Sequence, residues 1–119
     1  MSTRSQLLKG ILDGCVLAVI EKETVYGYEL SKKLQWIGLA DVSEGTIYPV
    51  LLRLQKNGWI YGEMRPSEEG PNRKYYTLTE NGKKALCDIR REWSGISVAV
   101  NTLLREDEND ECSTVDSGK

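Results

Sequence analysis

The chain of 119 residues contains no histidine. That absence removes Ser-His-Asp and Cys-His catalysis, histidine-ligated metals and H-E-x-x-H chemistry in one step. Neither a P-loop nor a G-x-G-x-x-G phosphate cradle is present. The three cysteines, Cys15, Cys87 and Cys112, are odd in number, far apart and free of any C-x-x-C pair. Disulfide and zinc readings are weak on that pattern, and a reducing cytoplasm fits it best. No apolar run is long enough to span a bilayer, and Asp13 interrupts the apolar stretch near the N-terminus, so neither a membrane span nor a signal peptide is expected. No internal repeat is visible. No metal, no cofactor and no enzyme activity is therefore expected; only chemistry run by carboxylates and lysine would remain, and nothing points to it.

Positive charge is also scarce, with a net charge of −2. Its distribution matters more than its sum. From Arg105 onward two cations face six carboxylates, which leaves −4 on that segment and +2 on the remainder. Residues 106–119 are rich in Asp, Glu and Ser and have Val115 as their one large apolar residue, so an acidic disordered tail is expected there. A folded part carrying +2 is compatible with a nucleic-acid partner bound with moderate, salt-dependent affinity.

What is present is mainly helical. Residues 5–21 read as a first helix with Leu8, Ile11, Leu12, Cys15 and Val19 on one stripe. Leu7, Val16, Leu17 and Ile20 add apolar residues outside it. A helix apolar so far round needs cover on two sides, one of which could be a second subunit. A second helix begins at 24–26 and runs to about Ile37, with Gly38 as its C-terminal cap and Tyr26, Leu30, Leu34 and Ile37 facing inward. A third runs from about Thr46 to Asn57, ends at Gly58 and buries Ile47, Val50, Leu51 and Leu54. Because proline is tolerated only in a first turn, Pro49 argues for an N-cap nearer Gly45 or Thr46 than Ser43. Residues 59–65 and 73–79 alternate as two strands, with Ile60 and Met64 on one face and Tyr76 and Leu78 on one face of the partner. The segment PSEEGPN between them reads as a wing tip longer than a two-residue turn. Thr79 then caps a fourth helix to about Arg105, in which Leu86, Ile89, Trp93, Ile96, Val100 and Leu103 are spaced 3, 4, 3, 4, 3. That is an a/d seam, too short for a free coiled coil but suited to pairing across a dimer axis.

The order helix, helix, helix, basic hairpin, long helix gives an α+β, mainly helical fold: a winged helix-turn-helix with a two-stranded wing and a C-terminal dimerisation helix. The boundaries expected are 1–78 for the winged part, 79–105 for the dimerisation helix and 106–119 for the tail. A helix followed by a basic hairpin meets double-stranded DNA with the helix in the major groove and the wing over the backbone. Arg65, Arg73 and Lys74 on the hairpin are the phosphate candidates; a hairpin whose charges merely protect an edge strand is the competing reading. Glu44 precedes the third helix and suits its dipole, but would repel phosphate, so it is expected to turn away from DNA.

Three blocks, YGYEL at 26–30, GTIYPVLLRLQKNGWI at 45–60 and GPNRKYYTLTENG at 70–82, resemble the PadR-type bacterial transcriptional regulators in a short form. The resemblance runs over roughly residues 7–104. It implies a homodimeric repressor with one C-terminal dimerisation helix, an inverted-repeat operator and, as often in that family, release by a small molecule. On this chain it makes the third helix the recognition helix, with Thr46 and Tyr48 near its DNA end, and tips the wing with Arg65, Asn72, Arg73 and Lys74. Lys32, Lys33 and Arg53, off the buried stripes, complete the expected DNA set. Tyr48 has a competing reading as a surface aromatic packed on its own helix. The chain departs from the family pattern at Leu52, where a polar or basic residue is frequent, and at Thr77, where a basic one is.

Dimerisation is expected through Leu8, Ile11, Leu86, Ile89, Trp93, Ile96, Val100 and Leu103. Trp93 is either a core residue or, near a two-fold axis, a stacking surface for a planar aromatic effector, with Leu12, Cys15, Ile89 and Ile96 around it. Trp36 and Trp59 are expected to be structural. The function that competes with the repressor is a winged-helix protein-interaction module without operator binding.

Overall fold

The computed structural model describes residues 2–105. The elements in order are α1 (Thr3–Leu8), α2 (Leu12–Lys22), β1 (Val25–Tyr26), α3 (Gly27–Trp36), α4 (Glu44–Lys56), β2 (Ile60–Ser67), β3 (Gly70–Leu78) and α5 (Glu80–Arg105). The chain divides into two compact units, one through Cys87 and one from Asp88 on. The expected acidic tail, 106–119, lies outside the described residues.

The first unit is organised by its caps. Ser2 Oγ accepts from the Ser5 N–H and starts α1. Gly10, a poor helix residue by about 1 kcal/mol, interrupts what reads in sequence as one helix, and α2 starts again at Leu12. The Arg4 guanidinium donates to the Gly38 carbonyl at 2.7 Å, which ties α1 to the turn after α3. Both α3 and α4 end in a Schellman motif. Leu39 N–H donates to Leu34 O and Gly38 N–H to Gln35 O; Trp59 N–H donates to Leu54 O and Gly58 N–H to Gln55 O. Both glycines need positive φ, +119° at Gly38 and +78° at Gly58.

The N-terminus of α4 corrects the expectation set by proline. Ser43 is the N-cap, its hydroxyl accepting from Thr46 N–H at 3.3 Å, and Pro49 lies inside the helix. The missing proline donor leaves the Gly45 carbonyl without its helical partner, near a helix end where Gly45 itself is exposed. The cap carries the helix two residues further back than the proline boundary allows.

The core of the first unit is Val16, Leu17 and Ile20 of α2, Val25, Leu30, Leu34, Val42, the α4 stripe Ile47, Val50, Leu51 and Leu54, then Ile60, Tyr76, Leu78 and Leu86. Each such side chain contributes about 1.5–3 kcal/mol before its entropy cost. On α2 the stripe expected to face inward is the other one: Leu12 is buried, but Cys15 and Val19 are only partly covered, and Val16 and Leu17 are fully sealed. With apolar residues on two faces, periodicity alone cannot choose between them.

The sheet is three-stranded and antiparallel in the order β1-β3-β2. The two residues of β1, read in sequence as the start of a helix, pair Val25 with Tyr76 and Tyr26 with Tyr75. The wing hairpin is longer and its turn tighter than expected. β2 runs to Ser67 and β3 starts at Gly70, so Glu68–Glu69 alone make the turn, with a register irregularity between Arg65 and Ser67. Thr79 caps α5: its Oγ1 accepts from Gly82 N–H at 2.9 Å and donates to the Gly58 carbonyl at 2.7 Å.

Candidate nucleic-acid interface

Strand register decides where the wing cations point. Arg65 lies directly opposite Arg73, Glu63 opposite Tyr75 and Met64 opposite Lys74. Side chains alternate between faces, so Arg65, Arg73, Glu63 and Tyr75 share one face, and Met64, Lys74 and Tyr76 share the other with the buried Ile60 and Leu78. The wing therefore carries positive charge on both sides. Its tip does not: the turn is Glu68–Glu69, and the residues expected at the tip, Arg65, Asn72, Arg73 and Lys74, stand on the strands below it.

Each cation is seated on a tyrosine. The Arg73 guanidinium lies 4.5 Å from the Tyr26 ring centroid and donates from Nη1 to Tyr26 OH at 3.0 Å. Arg65 lies 5.0 Å from the Tyr75 centroid and 3.4 Å from Glu63 Oε1. Lys74 Nζ lies 5.9 Å from the Tyr76 centroid, and its stem crosses the backbone at Gly62, where an added Cβ would come within 2.3 Å of Lys74 Cε. Lys32 Nζ lies 5.2 Å from the Tyr28 centroid. Burial pushes the Tyr76 hydroxyl above its ordinary pKa, with the neighbouring Tyr48 adding to the shift.

A cleft of about 540 Å³ joins these parts. It is lined by Tyr26 and Tyr28 at the start of α3, Glu44 and Tyr48 on α4, and Met64, Asn72, Arg73 and Lys74 on the wing. The outward residues of α4 include Thr46, Tyr48 and Leu52, with Tyr48 59% and Leu52 63% exposed. The Thr46 hydroxyl shares a hydrogen bond with Ser43 Oγ at 3.1 Å. Glu44 lines the cleft, contrary to the expectation that it turns away, because as the first residue of α4 it sits on the rim that Tyr48 also forms.

Two expected site residues are engaged elsewhere. Arg53 makes a two-pronged ion pair with Asp13 of α2, Nε to Oδ2 at 3.3 Å and Nη2 to Oδ1, because position 53 borders the buried face of α4. Lys33 pairs with Glu23 at 2.7 Å. The hydrogen bond and charge of that carboxylate raise the Lys33 pKa. Lys32 and Lys33 both line a groove of about 720 Å³ between α2 and α3, together with Cys15, Val19, Trp36 and Ile37. Trp36 is 89% exposed there, not structural as expected; it belongs to the last turn of α3, beyond the buried Leu34. Burial raises the Cys15 thiol pKa, which makes it a poor nucleophile.

The residues assigned to dimerisation and effector binding fall into two groups. Leu86 is 2% exposed and Leu12 is 7% exposed, so both are spent in the core of their own chain and leave the seam and the effector set. Leu8, Ile11, Cys15 and Ile89 are half-covered. Trp93, Ile96, Val100 and Leu103 of the second unit are all exposed, with Val98 and Leu104 beside them. Trp93 is thus no core residue of a single chain. Sequence reasoning missed Tyr26 as the partner of Arg73, since no local spacing links positions 47 residues apart, and Tyr75 as the partner of Arg65, which depends on the strand register.

Among the described residues no helix is long and apolar enough to cross a membrane, and no cluster of three or more His, Cys, Asp or Glu could hold a metal ion. The profile of the transcriptional regulator PadR-like family matches residues 16–88. The chain belongs to that family. A PadR-like transcriptional regulator from Bacillus cereus is 50% identical, with a TM-score of 0.76, 83% of this chain covered and 96% of the other. A Streptococcus transcriptional regulator is 45% identical at a TM-score of 0.74, covering 82% of this chain and 96% of its own. A transcriptional regulator from Mycobacterium tuberculosis is 37% identical over 82 residues, 69% of this chain and 68% of that protein. PadR-family members are DNA-binding regulators, not enzymes, and this chain is a transcriptional regulator with their winged-helix fold. The PadR match begins in α2 and ends at Asp88, so it covers the winged unit from Val16 onward and the root of α5.

Proposed function

We propose that this PadR-family chain is a homodimeric repressor that binds an inverted-repeat operator and is released by a small molecule. The observation that carries the DNA contact is the shared cleft: the exposed start of α4, the N-terminal end of α3 and the wing cations Arg73 and Lys74 border one surface. α4 reads bases in the major groove through Tyr48 and Leu52, while Arg65, Arg73 and Lys74 hold phosphates beside it. The dimer joins the exposed seam residues Trp93, Ile96, Val100 and Leu103, with the half-covered Ile89 at their root. The half-covered Cys15 and Val19 are the second apolar side of α2 that a partner covers. The two recognition helices then stand about 34 Å apart on one face of the duplex. A planar aromatic effector stacks on Trp93.

Two features favour the alternative, a protein-interaction module: the acidic wing turn Glu68–Glu69, and the apolar, exposed Leu52 on α4. Binding measured against salt separates the two. Three wing cations per protomer in a dimer give six phosphate contacts and a slope of log K against log salt of about −5. Arg53→Ala leaves that slope unchanged, since Arg53 serves Asp13. Binding without salt dependence, or no preference for any duplex selected from a random library, would overturn the repressor.

A further inference from the structure

Arg73 is an anomaly of charge. It stands directly opposite Arg65 on one face of the hairpin, and like charges so paired destabilise a sheet. Arg65 has relief from Glu63. Among the described residues no carboxylate pairs with Arg73; its hydrogen-bond partner is the neutral hydroxyl of Tyr26, 47 positions earlier in the chain. A carboxylate would order the guanidinium and cancel its charge. A tyrosine orders it and leaves the charge available to an anion.

Tyr26 is itself fixed from three directions. Its backbone pairs with Tyr75 in the sheet. Its ring meets Tyr75 edge-on at 5.2 Å and stacks with Tyr28 at 6.5 Å. Its N–H donates to Glu29 Oε1 at 3.4 Å in the capping box of α3. The arginine is therefore located by the start of α3 as well as by its own hairpin. We propose that Tyr26 is a positioning residue for the wing: it holds Arg73 at a fixed height over the cleft, charged and unpaired, for a backbone phosphate of the DNA. This rests on the DNA-binding reading above.

The test uses the full chain and a mixed-sequence duplex, because a phosphate contact is independent of sequence. Tyr26→Phe keeps the ring and removes the hydrogen bond; binding weakens about two- to fivefold. Tyr26→Leu removes both and weakens binding about tenfold. It also makes the salt slope shallower by about two units per dimer, the change that Arg73→Ala gives. In an Arg73→Ala background, Tyr26→Leu adds no further loss. An equal loss in that background, or a loss with the slope unchanged, overturns the proposal, because Tyr26 then acts through the fold or touches DNA alone. Unchanged binding in both Tyr26 variants overturns it as well. If Tyr26→Leu fails to fold by circular dichroism, Tyr26→Phe in both backgrounds carries the same cycle. Wild-type protein that shows no salt-dependent DNA binding removes the reading beneath the proposal; normal wild-type and Arg73→Ala behaviour with silent Tyr26 variants removes the proposal alone.

Discussion

Gly82→Ala tests how the wing is fastened to α5. A Cβ built at Gly82 lies 2.0 Å from the Trp59 carbonyl oxygen, 2.9 Å from its carbon and 3.0 Å from Leu78 Cδ1. The first contact is with backbone, so no side chain can swing away; α5 and the root of β2 must part by roughly 1 Å to relieve it. That movement stretches three hydrogen bonds at the same joint: Thr79 N–H to Trp59 O at 3.0 Å, Thr79 Oγ1 to Gly58 O at 2.7 Å and Gly82 N–H to Thr79 Oγ1 at 2.9 Å. Overpacking costs about 1–3 kcal/mol and each bond lost about 0.5–1.5 kcal/mol. Better helix propensity returns about 1 kcal/mol. The net is a destabilisation of about 3 kcal/mol, or a melting temperature lower by roughly 10–15 °C for a chain of this size. Gly95, in the same helix, has nothing within 4 Å of an added Cβ, so Gly95→Ala raises stability by about 0.5–1 kcal/mol. Helix propensity alone predicts a gain at both positions. Thermal unfolding followed by circular dichroism at one protein concentration decides; a Gly82→Ala melting temperature at or above wild type refutes the clash argument.

The exposed seam makes Ile96→Asp the test of dimerisation. It should yield monomers or unfolded protein in sedimentation, whereas a stable wild-type monomer at micromolar concentration would end the homodimer. Trp93→Ala should abolish the fluorescence response to planar aromatic dyes and with it their release of DNA; normal release in the variant rules out Trp93 as the stacking surface. Leu52, 63% exposed on α4, offers only an apolar contact, which suits a thymine methyl. Replacing single thymines by uracil in a selected duplex should weaken wild-type binding by about 1 kcal/mol at one position per half-site and leave Leu52→Ala indifferent there. Equal sensitivity in the two proteins would count against that contact.

How legible this was depended on how local each signal is. The end of α4 at Gly58, the Thr79 cap of α5 and the alternation of the wing strands each rest on a few neighbouring residues, and sequence reading located them. β1 escaped it because two residues, Val25 and Tyr26, have no period, and what makes them a strand is Tyr75 and Tyr76 fifty residues later. Pro49 misled because a general rule about proline met a stronger local cap at Ser43. Arg53 and Lys33 looked like free cations, and only packing of α2 against α4 and α3 shows Asp13 and Glu23 beside them.

Those two ion pairs bear on how a chain with a net charge of −2 could face DNA. Lys33 and Arg53 spend their charge on carboxylates away from the cleft, whereas Arg73 and Lys74 at the cleft are held by tyrosine rings. Counting lysines and arginines misses this sorting. A cation held by a carboxylate alone has little charge left for a phosphate contact, and a cation held on an aromatic face keeps nearly all of its charge. On the proposed function, affinity then comes from a few well-ordered charges per protomer, repeated across a two-fold axis, and the measured salt slope should follow the number of wing cations seated on tyrosine, Arg65, Arg73 and Lys74, and not the net charge.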